Sequence, residues 1–435
     1  MTSATYDWGV RTANEGENDY PIAFWCLVFF TFIVYVAPQN AVPALQALYP
    51  GKFTMAVAIL AYVGQRLSKG ASILPAGKEF RLLGLFFFLG VCSVPLSMWP
   101  GGSFEVASDL FVKSMVVCVL TAQLLTSVKR FRQMLWCVLL FGLATAIIGL
   151  LEYQKGHVVE GYRLNGTWAG ISGNPNDFSL TLNLIIPFAV ALYMLTTRVV
   201  HKIVIIAFLV FAVIGILLTF SRSGFLTLAT IVALAMLKFT AGGSRQKFVV
   251  PILLLGIAFI AFAPEGYGTR IESIFDSSKD QVGSSQVRVD AMRYSLQSMA
   301  EHPLFGVGLG MNILGIKDLG MGWQHVHNVY LQIGTEMGVP AMIIFVMFLL
   351  NVFGAVRTVE KQAKRVDEVT DIQVLAIASQ ISMAAFIVAA FFYPVGYHFY
   401  MYYVAGFCLA LKQIAATSVE TVPVKELQNP YARWA

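Results

Sequence analysis

Long apolar runs separated by short polar loops repeat along nearly the whole 435-residue chain. The runs are continuous rather than alternating, and most are long enough for a helix to cross a bilayer. This pattern predicts an all-α polytopic membrane protein with about twelve transmembrane helices, and it excludes the alternating strands of a β-barrel. The predicted spans are residues 22–37, 51–67, 80–97, 107–126, 133–152, 178–196, 202–219, 223–240, 247–264, 328–355, 372–393 and 398–416.

One long polar interval, residues 265–328, interrupts this pattern between the ninth and tenth spans. A loop of this length with its own helical periodicity is usually functional. Four apolar residues recur in it at helical spacing and predict an amphipathic helix that ends before Pro303. They are Val289, Met292, Leu296 and Met299. The chain is otherwise treated as a single membrane domain, residues 1–435, with residues 417–435 as a polar cytoplasmic tail.

Composition agrees with a membrane protein, because 57% of the residues are hydrophobic and only 12% are charged, against about a quarter charged in soluble domains. The net charge of +6 is spread over short loops, which indicates membrane orientation rather than nucleic-acid binding. Lys and Arg concentrate in alternate loops, so both termini are predicted to be cytoplasmic. The 265–328 loop, the 153–177 loop and the turn around Arg222 then lie together outside.

The N-terminal segment and the positions of the cysteines give two further predictions. The first twenty residues are polar and partly acidic, unlike a signal peptide, so the first apolar run is expected to remain as a span. The five cysteines all lie in apolar runs, which predicts neither a disulfide nor a metal site. They are Cys26, Cys92, Cys118, Cys137 and Cys408.

Arg222 lies in the sequence SRSG between two apolar runs. A charged residue near membrane depth is costly and usually faces a cavity or a partner. The alternative is an arginine that merely reaches to the interface from a helix end. Such an anchor would not need flanking serines and a glycine, so we favour a binding role.

Two arginines flank the stripe of the amphipathic helix. Arg288 opens the helix after a Gly/Ser stretch and lies closer to the stripe than Arg293. Helix geometry leaves two interpretations open for Arg288, namely a side chain directed at whatever the helix covers or a solvated edge. For Arg293 the solvated edge is favoured.

His325 and His327 lie in QHVHNVYLQIGTEMG at the start of the tenth span. An H-x-H pair without a third ligand is a weak metal signal, and we expect no metal and no cofactor. An imidazole here is a suitable proton acceptor because its ordinary pKa lies near neutrality. Nearby guanidinium groups would favour the neutral base. Either histidine could be that base.

A polar stripe of Asn328, Gln332 and Glu336 continues from the histidines into the span. It either packs helices together or lines a cavity, and the density of amide and carboxylate groups favours the cavity. Gly334 and Gly338 form a small-xxx-small pair that permits close approach of another helix. The nearby GVGLG follows a helix rather than a strand, so its glycines predict tight turns and no nucleotide-binding motif.

The loop RLNGTWAGISGNPNDFS, residues 163–179, has turn and N-cap residues before the sixth span. This structural role is the default interpretation of Asn174 and Asn176. Arg163 and the two asparagines are also candidate sugar contacts.

Taken together, these segments resemble the O-antigen ligase and O-antigen polymerase superfamily of bacterial cell-envelope proteins. The resemblance rests on SRSG after a span, R-x-x-x-x-R-Y running into EHPLFGVGLG, and HNVYLQIGTEMGVP opening the next span. It covers about residues 160–340. GNPNDF resembles a branch associated with exopolysaccharide and protein O-glycosylation systems.

The resemblance implies a GT-C-like glycosyltransferase of the bacterial inner membrane with a periplasmic active site. It would move a glycan from undecaprenyl pyrophosphate to a hydroxyl of a glycan, lipid or protein acceptor. The arginines matching Arg222 and Arg288 would bind the pyrophosphate, and the histidine matching His327 would act as base. An activated leaving group and a single base imply a metal-independent, inverting displacement. Candidate supporting residues are His325, Arg293, Arg163, Asn174, Asn176, Asn328 and Glu336.

Three alternatives remain beside an O-antigen ligase. A polymerase of the same superfamily differs only in its acceptor, which depends on loop shape. A transporter of anions or lipid-linked saccharide predicts inverted repeats and helices broken at mid-membrane, and the sequence has no visible repeat. A structural membrane scaffold would leave the polar stripe unexplained.

Overall fold

The computed structural model describes residues 19–166, 171–239, 284–316, 325–363 and 370–420. The predicted ninth span, residues 247–264, lies outside the described residues, as do much of the predicted 265–328 loop and all of the predicted tail after Glu420. The described part is almost entirely helical, so the all-α prediction is confirmed.

The helices are, in chain order, α1 (Pro21–Val36), α2 (Pro38–Ala41), α3 (Pro43–Gln46), α4 (Pro50–Ser68), α5 (Lys78–Ser93), α6 (Pro100–Val106), α7 (Val112–Leu124), α8 (Val128–Gln154), α9 (Pro175–Leu195), α10 (Val199–Leu218), α11 (Arg222–Phe239), α12 (Ser284–Glu301), α13 (Asn312–Ile316), α14 (Val329–Met337), α15 (Val339–Ala363), α16 (Thr370–Ala389) and α17 (Phe399–Glu420). A π-helical turn, Ala107–Phe111, joins α6 to α7. A short antiparallel hairpin, β1 (Val158–Val159) and β2 (Arg163–Leu164), precedes α9.

Seven helices in the described ranges are long and apolar enough to cross a membrane: those containing α4, α8, α9, α10, α15, α16 and α17. The chain is therefore a polytopic membrane protein, while the predicted number of about twelve spans is not reached by this measure. The C-terminal helix also continues three residues beyond the predicted start of the tail, to Glu420.

The most buried spans, α9, α16 and α17, form the centre of the bundle. Outer helices expose one apolar face, as α10 does with Val199, Ile203, Ile206, Val210 and Ile214. In a bilayer such a face meets lipid, so burial against protein is not required of it.

Ion pairs define one end of the bundle. They join the end of α11 to the end of α15, the start of α8 to the start of α16, and the C-terminal part of α17 to the start of α5. The pairs are Lys238–Glu360 at 2.6 Å, Arg132–Asp371 at 3.1 Å and Lys412–Glu79 at 2.9 Å. The start of α11, the α14–α15 segment and the α16–α17 connection must therefore meet at the opposite end.

The predicted tenth span is broken rather than continuous. Gly338, with φ +88°, separates α14 from α15. A Cβ at this position would lie 2.3 Å from the carbonyl oxygen of Leu304, and the amide of Val339 donates to the Pro303 carbonyl at 2.9 Å. The loop before α14 thus crosses the chain at the break, where only glycine leaves room.

The amphipathic helix forms as predicted, as α12, but it turns a different face inward. Its buried residues include Ala291, Ser295 and Ser298, whereas Leu296 of the predicted stripe is 58% exposed. Small side chains allow α12 to approach α14 closely, since a Cβ on Gly334 would lie 2.7 Å from Met299 Cε. Three of the four residues of the predicted stripe, Val289, Met292 and Leu296, are left on the outer surface.

Candidate active site

The SRSG turn, residues 219–224, connects α10 to α11 and carries Arg222. Phe220 has φ +50°, and Ser221 Oγ caps the new helix by accepting from the Gly224 amide at 3.1 Å. A Cβ on Gly224 would lie 2.5 Å from Ser179 Oγ. The flanking serines and glycine therefore fix the turn against α9 and hold Arg222, which is half-buried, at the helix start.

The 163–179 loop supports this turn. Arg163 donates from Nε to the Thr219 carbonyl at 2.9 Å and from Nη2 to Asn176 Oδ1 at 3.3 Å. The hydroxyl of Ser221 donates to the same Asn176 oxygen at 2.8 Å. Asn174 Oδ1 accepts from the Asp177 amide at 2.9 Å, so it is the predicted N-cap of α9. Arg163 and Asn176 thus hold the Arg222 turn in place.

A second segment, residues 390–398 between α16 and α17, connects that turn to the start of α14. We call it the bridging segment. Its Tyr393 hydroxyl lies 3.1 Å from Ser179 Oγ and also contacts the two serines of SRSG, and burial raises the pKa of Tyr393. At its beginning, the Ala390 carbonyl accepts from the Val329 amide at 2.7 Å. Arg222 and the histidine segment therefore lie at the same end of the bundle.

The histidine segment, residues 325–328, lies beside Arg288. His327 is half-buried and His325 is exposed. Burial first, then the positive charge of Arg288, then His325, lower the pKa of His327 to about 4. Its buried Nδ1 has no hydrogen-bond partner within the described residues. The imidazole is therefore neutral at neutral pH and can accept a proton.

The contacts of Arg293 and Asn328, two further predicted residues of this region, indicate structural roles. Arg293 is 76% exposed and lies 3.7 Å from Asp290 Oδ1, as the predicted solvated edge requires. Arg288 instead lies on the side of α12 that carries its small buried residues. Asn328 caps α14 by accepting from the Leu331 amide at 3.0 Å.

Glu336 joins the neighbouring loops through hydrogen bonds to its carboxylate. Its fully buried carboxylate accepts from the Gly310 amide at 3.0 Å, from the Tyr397 hydroxyl at 2.5 Å and from Asn312 Nδ2. Asn312 Oδ1 in turn accepts from the amide of Val326, between the two histidines, at 3.1 Å. Glu336 therefore positions the histidine segment through one intermediate side chain.

The polar stripe packs protein segments together, and the prediction that it lines a cavity is wrong for its buried members. Gln332 Oε1 accepts from the Gly396 amide at 3.0 Å. Both carboxylate oxygens of Glu336 accept hydrogen bonds from neighbouring segments. The GVGLG segment makes the predicted tight turns, with positive φ at Gly306, Gly308 and Gly310. It also pairs its backbone with the end of α14.

Sequence reasoning missed the bridging segment and Asn312. No candidate site residue is predicted in the bridging segment, yet it carries Tyr393, Tyr397 and His398. Two tyrosines and a histidine in a turn on the predicted outer face were the available signal. Asn312 follows GVGLG without a motif of its own.

The structure thus brings the predicted residues into two adjacent groups. Arg222, Arg163, Asn174 and Asn176 belong to the first, and Arg288, His325, His327 and Asn328 to the second. Glu336 lies beneath the second group, and Arg293 points to the surface. A guanidinium beside a neutral imidazole, with further arginines at the same end of the bundle, is suited to an anionic substrate that reacts with a hydroxyl group.

Comparison with known proteins finds two likenesses. Residues 207–346, which include Arg222, Arg288 and His327, match the O-antigen ligase family. An O-antigen polymerase of Salmonella muenchen is 28% identical over 222 residues, which is 47% of this chain and 53% of that protein. The chain thus spans about half the length of this curated relative. These likenesses agree with the polytopic helical fold and with the predicted order of the motifs, and over residues 207–346 the chain is similar to the O-antigen ligase family.

Proposed function

We propose that this chain is a membrane glycosyltransferase that moves a glycan from undecaprenyl pyrophosphate to an acceptor hydroxyl. The observation that carries the proposal is the half-buried, neutral His327 beside the guanidinium of Arg288. A proton acceptor and a cation at one end of a membrane bundle match what a pyrophosphate leaving group and a hydroxyl nucleophile need.

In this reaction the acceptor oxygen forms a bond to the anomeric carbon of the donor glycan. The bond between that carbon and the phosphate oxygen breaks, and undecaprenyl pyrophosphate leaves with the electron pair. His327 takes the hydroxyl proton. Arg222 and Arg288 bind the pyrophosphate, because a planar guanidinium pairs bidentately with phosphate oxygens and stabilises the charge that develops there.

The stereochemistry follows from the number of participating groups. The proposed mechanism uses one base and assigns no carboxylate as nucleophile, which gives a single displacement with inversion of the anomeric configuration. No metal is needed to activate a pyrophosphate leaving group. We place the site on the periplasmic face of the bacterial inner membrane and both termini in the cytoplasm, because the basic loops lie at the other end of the bundle.

Purified protein in detergent, supplied with undecaprenyl-pyrophosphate glycan and an acceptor, tests the proposal. His327→Ala is expected to lower the rate of transfer by about 10²-fold or more, as loss of a general base does. His302→Ala is the matched control, since His302 is exposed at the end of α12 and the variant should keep wild-type activity. Glycan movement across proteoliposomes without a transferred product would show a carrier instead.

A further inference from the structure

The exposed surface of α12 is divided between an apolar side and a polar side. Val289, Met292 and Leu296 recur at positions i, i+3 and i+7, so they lie along one side of the helix, and all three are exposed. We call these three residues the apolar side of α12. The small buried residues that pack against α14 lie on a different side, so the apolar side is not needed for that contact.

The polar side of α12 lies next to the apolar side and is hydrogen-bonded along its length. Gln286 Nε2 donates to Asp290 Oδ1 at 3.1 Å, and Gln297 Nε2 donates to Glu301 Oε1 at 2.9 Å. Both pairs join residues four positions apart, as is usual on the solvated surface of a helix. An exposed apolar side beside a polar side is typical of a helix that lies along a membrane surface.

The end of α12 lies at the boundary of the hydrocarbon core. From Val339 to Val356, α15 has no Asp, Glu, Lys or Arg, and this helical stretch rises by about 27 Å, close to the roughly 30 Å of a hydrocarbon core. Val339 marks the boundary at the end of the bundle that carries the histidine segment. Its amide donates to the carbonyl of Pro303 at 2.9 Å. This bond holds the loop after α12 at the depth of the boundary.

The apolar side of α12 lies next to the lipid-facing surface of α15. Ile343 and Leu350 of α15 are exposed at the depth of the acyl chains. A Cβ on Gly334 would lie 2.8 Å from Met299 Sδ and 3.3 Å from Met342 Sδ. The end of α12 therefore meets the start of α15 one residue before Ile343, and apolar surface continues from one helix to the other.

A second exposed apolar segment lies at the same depth. The Met98 amide donates to the Val307 carbonyl at 3.0 Å, so the connection between α5 and α6 lies against the loop that follows α12. Leu96, Met98 and Trp99 of this connection are exposed. Tryptophan is enriched at membrane–water interfaces. Two segments that are distant in the sequence thus expose apolar side chains at one level, as expected where a bilayer meets the protein.

We propose that α12 lies along the surface of the bilayer, with its apolar side in contact with lipid acyl chains and its polar side in water. The apolar side is then covered by the membrane, and not by a protein partner or a second copy of this chain. The proposal does not depend on the proposed reaction. It bears on the candidate site because Arg288 belongs to the same helix, so contact with lipid fixes the depth of this arginine.

Nitroxide labels at four positions of α12 test the proposal in the whole protein, reconstituted in vesicles of phosphatidylethanolamine and phosphatidylglycerol. Leu296→Cys and Met292→Cys place the label on the apolar side. Gln297→Cys and Arg293→Cys, each one position further along the helix, are the matched controls on the polar side. The five native cysteines are half-buried or buried, so labelled wild-type protein sets the background.

Power saturation measures how often each label collides with oxygen, which concentrates in lipid, and with a water-soluble nickel chelate. The ratio of oxygen to nickel collisions should be several-fold higher at Leu296 and Met292 than at Gln297 and Arg293. Equal ratios would overturn the proposal, because the apolar side would then be in water. Little collision with either reagent at Leu296 and Met292 would also overturn it and would indicate that protein covers this side. Each variant is compared with wild type by size-exclusion chromatography, and two positions on each side allow the comparison if one variant does not fold.

Discussion

His327 is the residue whose environment makes the sharpest prediction. A pKa of about 4 means that the imidazole is neutral above this pH and gains a proton, losing its function as base, as the pH falls through it. The acid limb of kcat/KM, which reports the free enzyme, should therefore lie near pH 4. Bound pyrophosphate brings negative charge beside Arg288, so the limb of kcat should lie higher, toward the ordinary histidine value of 6.5.

The contribution of Arg288 to this pKa can be isolated. Arg288→Gln removes a positive charge that disfavours imidazolium, so the acid limb of kcat/KM should move to higher pH. The move is partial because burial is the larger cause. Arg293→Gln is the control, since Arg293 is exposed on the same helix and should leave the limb in place. If the two variants had the same pH profile, the charge of Arg288 would not contribute to the pKa of His327.

Glu336 makes a second prediction at this scale. Glu336→Ala would leave the Gly310 amide and Asn312 Nδ2 without their acceptor, at a cost of about 3 kcal/mol in the free energy of unfolding. Transfer activity should also fall, because Asn312 positions the histidine segment, and Glu336→Gln should restore part of both. The exposed Glu301→Ala is the control and should stay within about 0.5 kcal/mol of wild type. Unfolding in detergent with increasing denaturant measures the stability of each variant, and the transfer assay measures its activity.

Residue roles that depend on local chemistry were predictable, and those that depend on distant packing were not. The N-cap at Asn174 and the solvated edge at Arg293 follow from neighbouring residues alone. The function of Asn312 depends on a carboxylate 24 positions later in the chain, which no local pattern encodes. The contact between Tyr393 and Ser179 likewise joins segments 214 residues apart.

At the scale of elements, hydropathy located the helices well because crossing a bilayer demands long apolar runs. The predicted spans 22–37 and 51–67 correspond to Pro21–Val36 and Pro50–Ser68. What hydropathy could not supply was the break at Gly338 and the buried face of α12. The break depends on the loop after α12, which crosses the chain at Gly338, and the buried face of α12 depends on its packing against α14. In a membrane protein the most apolar face need not be the one that faces protein.

Gly338→Ala tests the break. The substitution should lower the free energy of unfolding by about 1–3 kcal/mol. The reason is that Gly338 has φ +88° and an added Cβ would lie 2.3 Å from the Leu304 oxygen. Gly354→Ala is an internal control within α15, because a Cβ there meets no atom within 4 Å. That variant should gain about 0.5–1 kcal/mol through helix propensity. Equal stability of the two variants would indicate that α14 and α15 form one continuous helix.

At the scale of the whole molecule, the two ends of the bundle differ in chemistry. One end has the pairs Lys238–Glu360, Arg132–Asp371 and Lys412–Glu79. The other has Arg222, Arg288 and the histidine segment, together with the ion pairs of Asp109 and Glu160. The positive-inside rule predicts that the first end is cytoplasmic, and the proposed function then requires the site to face the periplasm and the lipid-linked glycan to be presented there. Topology is therefore a condition of the proposed reaction, independent of any catalytic residue.

Cysteine accessibility measures this directly. His302→Cys lies at the end of α12 and Gln362→Cys at the far end of α15, and both native side chains are exposed. A membrane-impermeant maleimide should label His302→Cys in intact spheroplasts, and Gln362→Cys only after permeabilisation. The five native cysteines are half-buried or buried, so wild-type protein sets the background. Labelling in the opposite order would place the histidine segment in the cytoplasm, where it could not act on a donor presented in the periplasm.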